Sequence, residues 1–253
     1  MPRLDRLLAH NLDCPRRQAT RLCRHGHVTD ESGAALRDPA LAIPPSALPI
    51  TVRVAGEPAI LRVRYHVMQH KPRGVVTALR DDRHPTARDL LGDVPLGRDL
   101  RAVGRLDLDT SGLLLWTTEG ALLHRLTHPR YAVPRVYQAA LARPYRAPTE
   151  DLTLDDGHRP KLLALAPLER ASCHPGLHVP EEAECLATIT LDAGKFHEVR
   201  RIFAALGSHV LGLCRVAYGS IALPYDLAPG THRELDLHAR FADLHPAPAE
   251  APA

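Results

Sequence analysis

Gly104-Arg105-Leu106-Asp107-Leu108-Asp109-Thr110-Ser111-Gly112-Leu113-Leu114-Leu115-Trp116 is the stretch on which the reading of this chain turns. Two acids, an arginine and two hydroxyls stand directly before an apolar run, with Gly104 and Gly112 allowing tight backbone turns. The run predicts a buried strand at Leu113–Thr117, and a polar loop at a strand end is where a rigid scaffold holds reacting groups. A plain turn, in which Asp and Thr cap backbone groups, has the same composition. Asp107-Leu108-Asp109-Thr110 also has the D-x-D order of aspartyl-phosphate phosphotransferases. Those enzymes need a strand directly before the acids, and Arg101–Arg105 reads as a poor strand. Asp109-Thr110-Ser111-Gly112 compares weakly with aspartic proteases, whose glycine directly follows the Thr or Ser.

The second polar cluster is Gly194-Lys195-Phe196-His197-Glu198-Val199-Arg200-Arg201-Ile202-Phe203-Ala204-Ala205-Leu206-Gly207. Val199, Ile202, Phe203 and Leu206 fall at helical spacing, with Gly207 as the stop. His197, Arg200 and Arg201 then share another face near the helix start. An arginine beside a buried carboxylate would keep it ionised, but spacing does not bring Arg200 to Asp107. Further strands are expected near Tyr65–Gln69, Val133–Leu141, Leu186–Leu191 and His209–Leu213, with helices between, one of them at Thr118–Thr127. This mixture predicts an α+β domain with a largely antiparallel sheet and flanking helices.

The first 56 residues read as a separate small α+β module. Pro15 suits the first turn of a helix running to about His25 and stopping at Gly26. Arg17, Arg21 and Arg24 form one stripe on it, and Ala19, Leu22 and Cys23 lie opposite. Such a helix can lie along a phosphate backbone, and it can equally be an ordinary solvated face. Ile50–Val54 reads as a closing strand, residues 57–63 as a linker, 64–241 as the second domain, and 242–253 as a disordered tail.

Composition narrows the classes. Apolar residues make up 45% of 253, enough for a core, while aromatics at 4% leave it to Leu, Val, Ile and Ala. The net charge is only +3, but Lys71, Lys161 and Lys195 are the sole lysines among 32 basic residues. Arginine binds phosphate bidentately and stacks on bases, which suits RNA. Five cysteines without a C-x-x-C pair do not form a disulfide framework. Neither a signal peptide nor a membrane span is visible, so a cytoplasmic location is expected. No metal site is expected either. His124 and His128 lack the intervening Glu of a metalloprotease, and Cys173, His174, His178 and Cys185 match no standard zinc spacing.

A resemblance brings these pieces together. His70-Lys71-Pro72-Arg73-Gly74, the Gly104–Trp116 stretch, Arg135-Val136-Tyr137 and the Gly194–Gly207 stretch, in this order, resemble the RsuA-type family of ribosomal RNA pseudouridine synthases. The start, Arg3–His10 and Arg16–Thr29, resembles the small RNA-binding domain that precedes the catalytic domain in that family. The ending Ile221–Leu235 resembles its last strand and D-L-x-P-G close. Departures are His70 for the usual Asn, Arg135 for Lys and Pro15 for a capping Ser. The usual Asn/Asp-Gly turn of the small domain is also absent, and residues 144–183 match poorly.

The resemblance implies an enzyme that isomerises one uridine of ribosomal RNA, within a ribosomal subunit or assembly particle. It implies that the small subunit supplies the target and that no cofactor is needed; a monomer is expected. It assigns Asp107 as the essential carboxylate, Tyr137 as the tyrosine touching the base, and Arg200 as the partner of Asp107. Arg105 would hold the flipped nucleotide, and Lys71, His197, Arg201, Arg17, Arg21 and Arg24 would join in RNA binding. A large-subunit target and a non-catalytic assembly factor are the alternatives.

Overall fold

A computed structural model describes residues 1–242. In chain order its helices are α1 (Leu4–Asn11), α2 (Arg16–Arg24), α3 (Gly120–Thr127), α4 (Glu198–Ala205) and α5 (Leu237–Arg240). The strands are β1 (Val28–Thr29), β2 (Ile50–Val54), β3 (Glu57–Leu61), β4 (His66–Lys71), β5 (Arg101–Val103) and β6 (Thr110–Thr117). They continue as β7 (Arg135–Leu141), β8 (Leu162–Pro167), β9 (Cys185–Leu191), β10 (Val210–Tyr218), β11 (Ile221–Ala222) and β12 (His232–Glu234). None of the helices among the described residues is long and apolar enough to cross a membrane. The expected disordered tail falls, apart from residue 242, outside the described residues.

The chain divides into two units. The small one holds Met1–Tyr65 together with the excursion Val94–Leu100. Its core is Leu4, Leu7 and Leu8 from α1, Ala19 and Cys23 from α2, and Val28, Val52 and Leu61 from a three-stranded sheet ordered β1-β2-β3. Burying each leucine is worth about 1.5–3 kcal/mol. Asp5 is buried with them, and burial alone would raise its pKa. The guanidiniums of Arg16 and Arg3, both 3.1 Å from its carboxylate, outweigh that and hold it below the usual range. Residues 57–63 are not the linker the sequence suggests. Glu57–Leu61 forms β3, paired antiparallel with β2 from Ile50↔Leu61 to Val54↔Glu57. Pro58 is tolerated because β3 is an edge strand, where a missing N–H breaks no ladder.

The large unit spans His66–Asp93 and the chain from Arg101 onward. Its sheet runs β12-β4-β6-β10-β7-β9-β8, with β5 paired to β6 and β11 to β10. Every pairing is antiparallel except β6 with β10. Arg101–Val103, a poor strand by composition, is held as β5 by its ladder to Leu115–Thr117. β6 is buried along its whole length, as the Leu113–Trp116 run requires. Trp116 donates its indole N–H to Gln69 at 2.9 Å, so the largest core ring leaves no orphan donor. At Gly112 (φ 116°) any side chain would lie 2.4–2.5 Å from the Arg215 backbone, so glycine lets β6 and β10 meet.

Candidate active site

Asp107 sits in the loop between β5 and β6, pinned from several sides. Thr77 Oγ1 donates to the Leu106 carbonyl at 2.9 Å and accepts from the Leu106 N–H at 3.0 Å. Gly74 N–H donates to the Leu108 carbonyl, and Thr110 N–H to that of Asp107, closing the turn. From beneath, the Lys71 ammonium donates to the carbonyls of Thr110 (2.8 Å) and Pro72 (3.0 Å). Burial pushes the Lys71 pKa down to about 8, although Asp107 and Asp109 pull it part of the way back up. Lys71, expected to contact RNA, is fully buried, because its stem fills the space under the loop.

The loop forms one wall of a cleft of about 520 Å³ that also takes in Arg105, Tyr137, His197 and Arg200. Asp107 is about one-third exposed there. Arg200, on α4, reaches both acids of the motif. Its Nη2 lies 2.8 Å from Asp109 and its Nε 4.0 Å from Asp107, while Nη1 donates to the Val210 carbonyl. The sequence reading pairs Arg200 with Asp107, but its shorter contact is with Asp109. Asp109 therefore holds the guanidinium in place while its edge faces Asp107. His197, held at φ 51° as the residue preceding α4, puts Nε2 3.6 Å from Asp107. Tyr137 is buried to 8% exposure on β7, opposite Arg215 of β10 and Ile189 of β9.

Four expected residues lie elsewhere. Arg201 points away from the cleft and pairs with Asp155 and Asp156, both at 2.5 Å, because the next residue along a helix faces about 100° further round. Arg17, Arg21 and Arg24 lie on the small unit, exposed along α2 beside a shallow hollow that they line with Pro15, Gln18, Thr20 and His25.

The cleft also holds residues that were not expected at the site, some inside the quoted motifs and some outside them. Arg135 donates to the Asp192 carbonyl (3.1 Å) and to the Tyr218 hydroxyl (3.2 Å). Arg215 donates to the Leu113 carbonyl at 2.8 Å, and both guanidiniums stand 5.1 Å from the Tyr218 ring centre. His158, Arg159 and Lys161 come from the poorly matching 144–183 segment. His158 bonds the buried Glu198 at 3.1 Å, and Glu198 in turn accepts from the Lys195 N–H at 2.8 Å. At the lip, Phe196 is 69% exposed and stacks on the His197 ring at 3.8 Å. Arg135, Lys195, Phe196 and Glu198 stand inside the quoted motifs, whereas His158, Arg159, Lys161 and Arg215 are lone residues scattered through the chain. Phe196, an aromatic inside a polar motif, offered the clearest sequence signal, since large exposed rings at a site signal contact with a partner.

The arrangement offers one carboxylate open to solvent, cations held around it by backbone carbonyls, and an aromatic wall. It suits an anionic, planar ligand. The model of RNA pseudouridylate synthases matches residues 65–205. A "Ribosomal small subunit pseudouridine synthase A" of Vibrio cholerae is 36% identical over 234 residues, covering 92% of this chain and 95% of the relative. The protein of the same name in Escherichia coli K12 is 35% identical, covering 92% and 96%. A solved pseudouridylate synthase structure superposes with a TM-score of 0.57 at 27% identity, covering 97% of this chain and all of that one.

Proposed function

The chain belongs to the RNA pseudouridylate synthase family and is a pseudouridine synthase, and from that premise we propose that it isomerises one uridine of small-subunit ribosomal RNA with Asp107 as the reacting carboxylate. The observation that carries the reading is Asp107 itself, one-third exposed in a cleft walled by Tyr137, with the basic side chains of Arg200 and His197 beside it.

The reaction breaks the bond from ribose to a uracil nitrogen, turns the base, and rejoins it through carbon. The proton lost from that carbon is balanced by one gained at nitrogen, so no electrons or groups are exchanged with a second reactant. An ionised carboxylate can attack the anomeric carbon or take a ribose proton. The uridine must leave its stack to reach the cleft, at a typical cost of a few kcal/mol. Tyr137 offers the freed base an aromatic face, and Arg105 lies at the lip to hold its phosphate or fill the gap. Phe196 offers a second face for a neighbouring base.

Arg17, Arg21 and Arg24 give the small unit a phosphate-binding stripe, which supports a substrate larger than the cleft. The relatives' names speak for the small ribosomal subunit as that substrate. On this reading the protein works as a monomer in the cytoplasm.

The test is pseudouridine mapping of ribosomal RNA incubated as small-subunit particles with wild-type protein or Asp107→Ala. One new pseudouridine, absent with the variant, is expected, and its position names the target. A site in large-subunit particles instead would move the substrate to that subunit. Tight RNA binding with no modification of either would point to an assembly factor.

A further inference from the structure

His66 opens β4, Glu119 stands directly before α3, and His238 lies on α5, so three separate elements of the large unit converge on one point. Glu119 Oε2 is 2.6 Å from His238 Nε2 and 3.1 Å from His66 Nε2. His66 is 4% exposed, and its Nδ1 lies 2.9 Å from Thr117 Oγ1. Its Nε2 is sealed from solvent and meets only Glu119 Oε2, at 3.1 Å, a contact short of full hydrogen-bond geometry. A His–Glu–His clamp therefore satisfies His238 well and the buried nitrogen of His66 only through that imperfect contact, which is costly. A cation between the three groups satisfies all of them.

We propose that His66, Glu119 and His238 form a Zn²⁺ site, with the fourth position open to water on the exposed side of His238 and Glu119. Tetrahedral zinc with bonds of about 2.0–2.1 Å spaces its ligand atoms about 3.3 Å apart. The His66–Glu119 spacing of 3.1 Å is already near that value. The His238–Glu119 spacing has to open by less than about 1 Å, a small shift for a side chain one-third exposed on a four-residue helix. The three ligand atoms already lie within 4.8 Å of one another. Two imidazoles and one carboxylate favour zinc over magnesium or calcium, which take oxygen ligands. Thr117 supplies the outer support that such sites use. Its hydroxyl oxygen meets His66 Nδ1 and also accepts the Glu119 N–H at 3.0 Å, orienting two ligands at once. His124 and His128, the pair with metalloprotease spacing, join no such cluster among the described residues. The bound ion would tie α5 to β4 and to the start of α3. It plays no part in the cleft, so the site stands or falls independently of the proposed reaction.

The test uses the full chain stripped with a chelator and then titrated with Co²⁺, a spectroscopic stand-in for Zn²⁺, with a chromogenic chelator as competitor. One equivalent should bind with a Kd below about 1 µM and give the visible absorption of a four-coordinate ion. His238→Gln, a change at a side chain one-third exposed, should weaken binding at least about tenfold. Zn²⁺ should raise the Tm of the wild type and not that of His238→Gln, because only a ligand that binds the folded state stabilises it. The double variant His124→Gln, His128→Gln should bind as wild type does. No four-coordinate absorption, or binding that survives His238→Gln, overturns the proposal. So does binding abolished by the His124/His128 double variant.

Discussion

The two units use arginine in opposite ways. On α2 of the small unit Arg17, Arg21 and Arg24 stand exposed, outside the ion pairs that tie Arg3, Arg16 and Arg98 to Asp5 and Asp13. In the large unit Arg135, Arg200 and Arg215 are half-buried or buried, and each spends a donor on a backbone carbonyl. An exposed guanidinium keeps all its donors for a ligand, and its attraction is screened by salt. One fixed by a carbonyl has lost its freedom before the ligand arrives, so it contributes geometry. On the proposed reading, the same residue type would grip in one unit and position in the other.

Three changes probe that contrast, beginning with the largest effect. Arg200→Met removes the cation shared by Asp107 and Asp109, and kcat should fall about a hundredfold to a thousandfold while RNA affinity stays within about threefold. Single-turnover kinetics beside a filter-binding titration would show it. A loss of affinity with kcat intact would mean that Arg200 grips as the small unit's arginines do. Next comes Lys71, whose folded pKa of about 8 lies below its ordinary value of 10.5. Below pH 8 the residue is charged in both states and the burial cost is fully present. Between about 8 and 10.5 the unfolded chain holds a proton that the folded chain does not, so stability rises with pH. Denaturant unfolding should find wild type gaining on Lys71→Met by an amount on the order of 3 kcal/mol across that window. A difference that stays flat with pH would show that the ammonium is not desolvated under the loop. The smallest effect is expected from changing Arg17, Arg21 and Arg24 together to Gln. RNA affinity should drop about tenfold, and the slope of log Kd against log salt should shrink by about 2–3, with kcat unchanged. An unaltered salt slope would make the stripe an ordinary solvated face.

Much of this architecture could be read from local pattern. Ile50–Val54 is a strand over the residues expected, and α2 ends just before Gly26, whose φ of 74° suits the stop. The buried strand after Asp107 extends further back than its apolar run, to Thr110, because its ladders to β4 and β10 enlist the polar residues. What escaped depends on partners distant in the chain. β3 and β5 carry weak strand sequences and exist through their neighbours. β8 lies in the 144–183 segment, where no motif marks it. At the site, Asp107, Tyr137 and Arg200 stand inside recognisable motifs. Lys71 and Arg201 do too, but motif membership says nothing of burial or competing partners. Lys71 went under the loop and Arg201 went to Asp155 and Asp156. Arg215 and Asp192 reach the cleft only because β10 and the end of β9 lie beside it.

The one parallel pairing among the described strands carries a consequence for the order in which the molecule can be made. Thr110, just beyond the Asp107 turn, is paired with Leu213, and Gly112 is packed on the backbone of Arg215. Contacts this distant along the chain close late, after the nearer hairpins have formed. A ribosome making this protein therefore releases the strand that follows Asp107 well before the strand it must lie against. The small unit's α1, α2 and three-stranded sheet need only Met1–Tyr65 for their main contacts, and domains generally fold as units in the order they emerge. Until β10 has been synthesised, the nascent chain has its aspartate but no cleft around it, so the active site is among the last features translation completes.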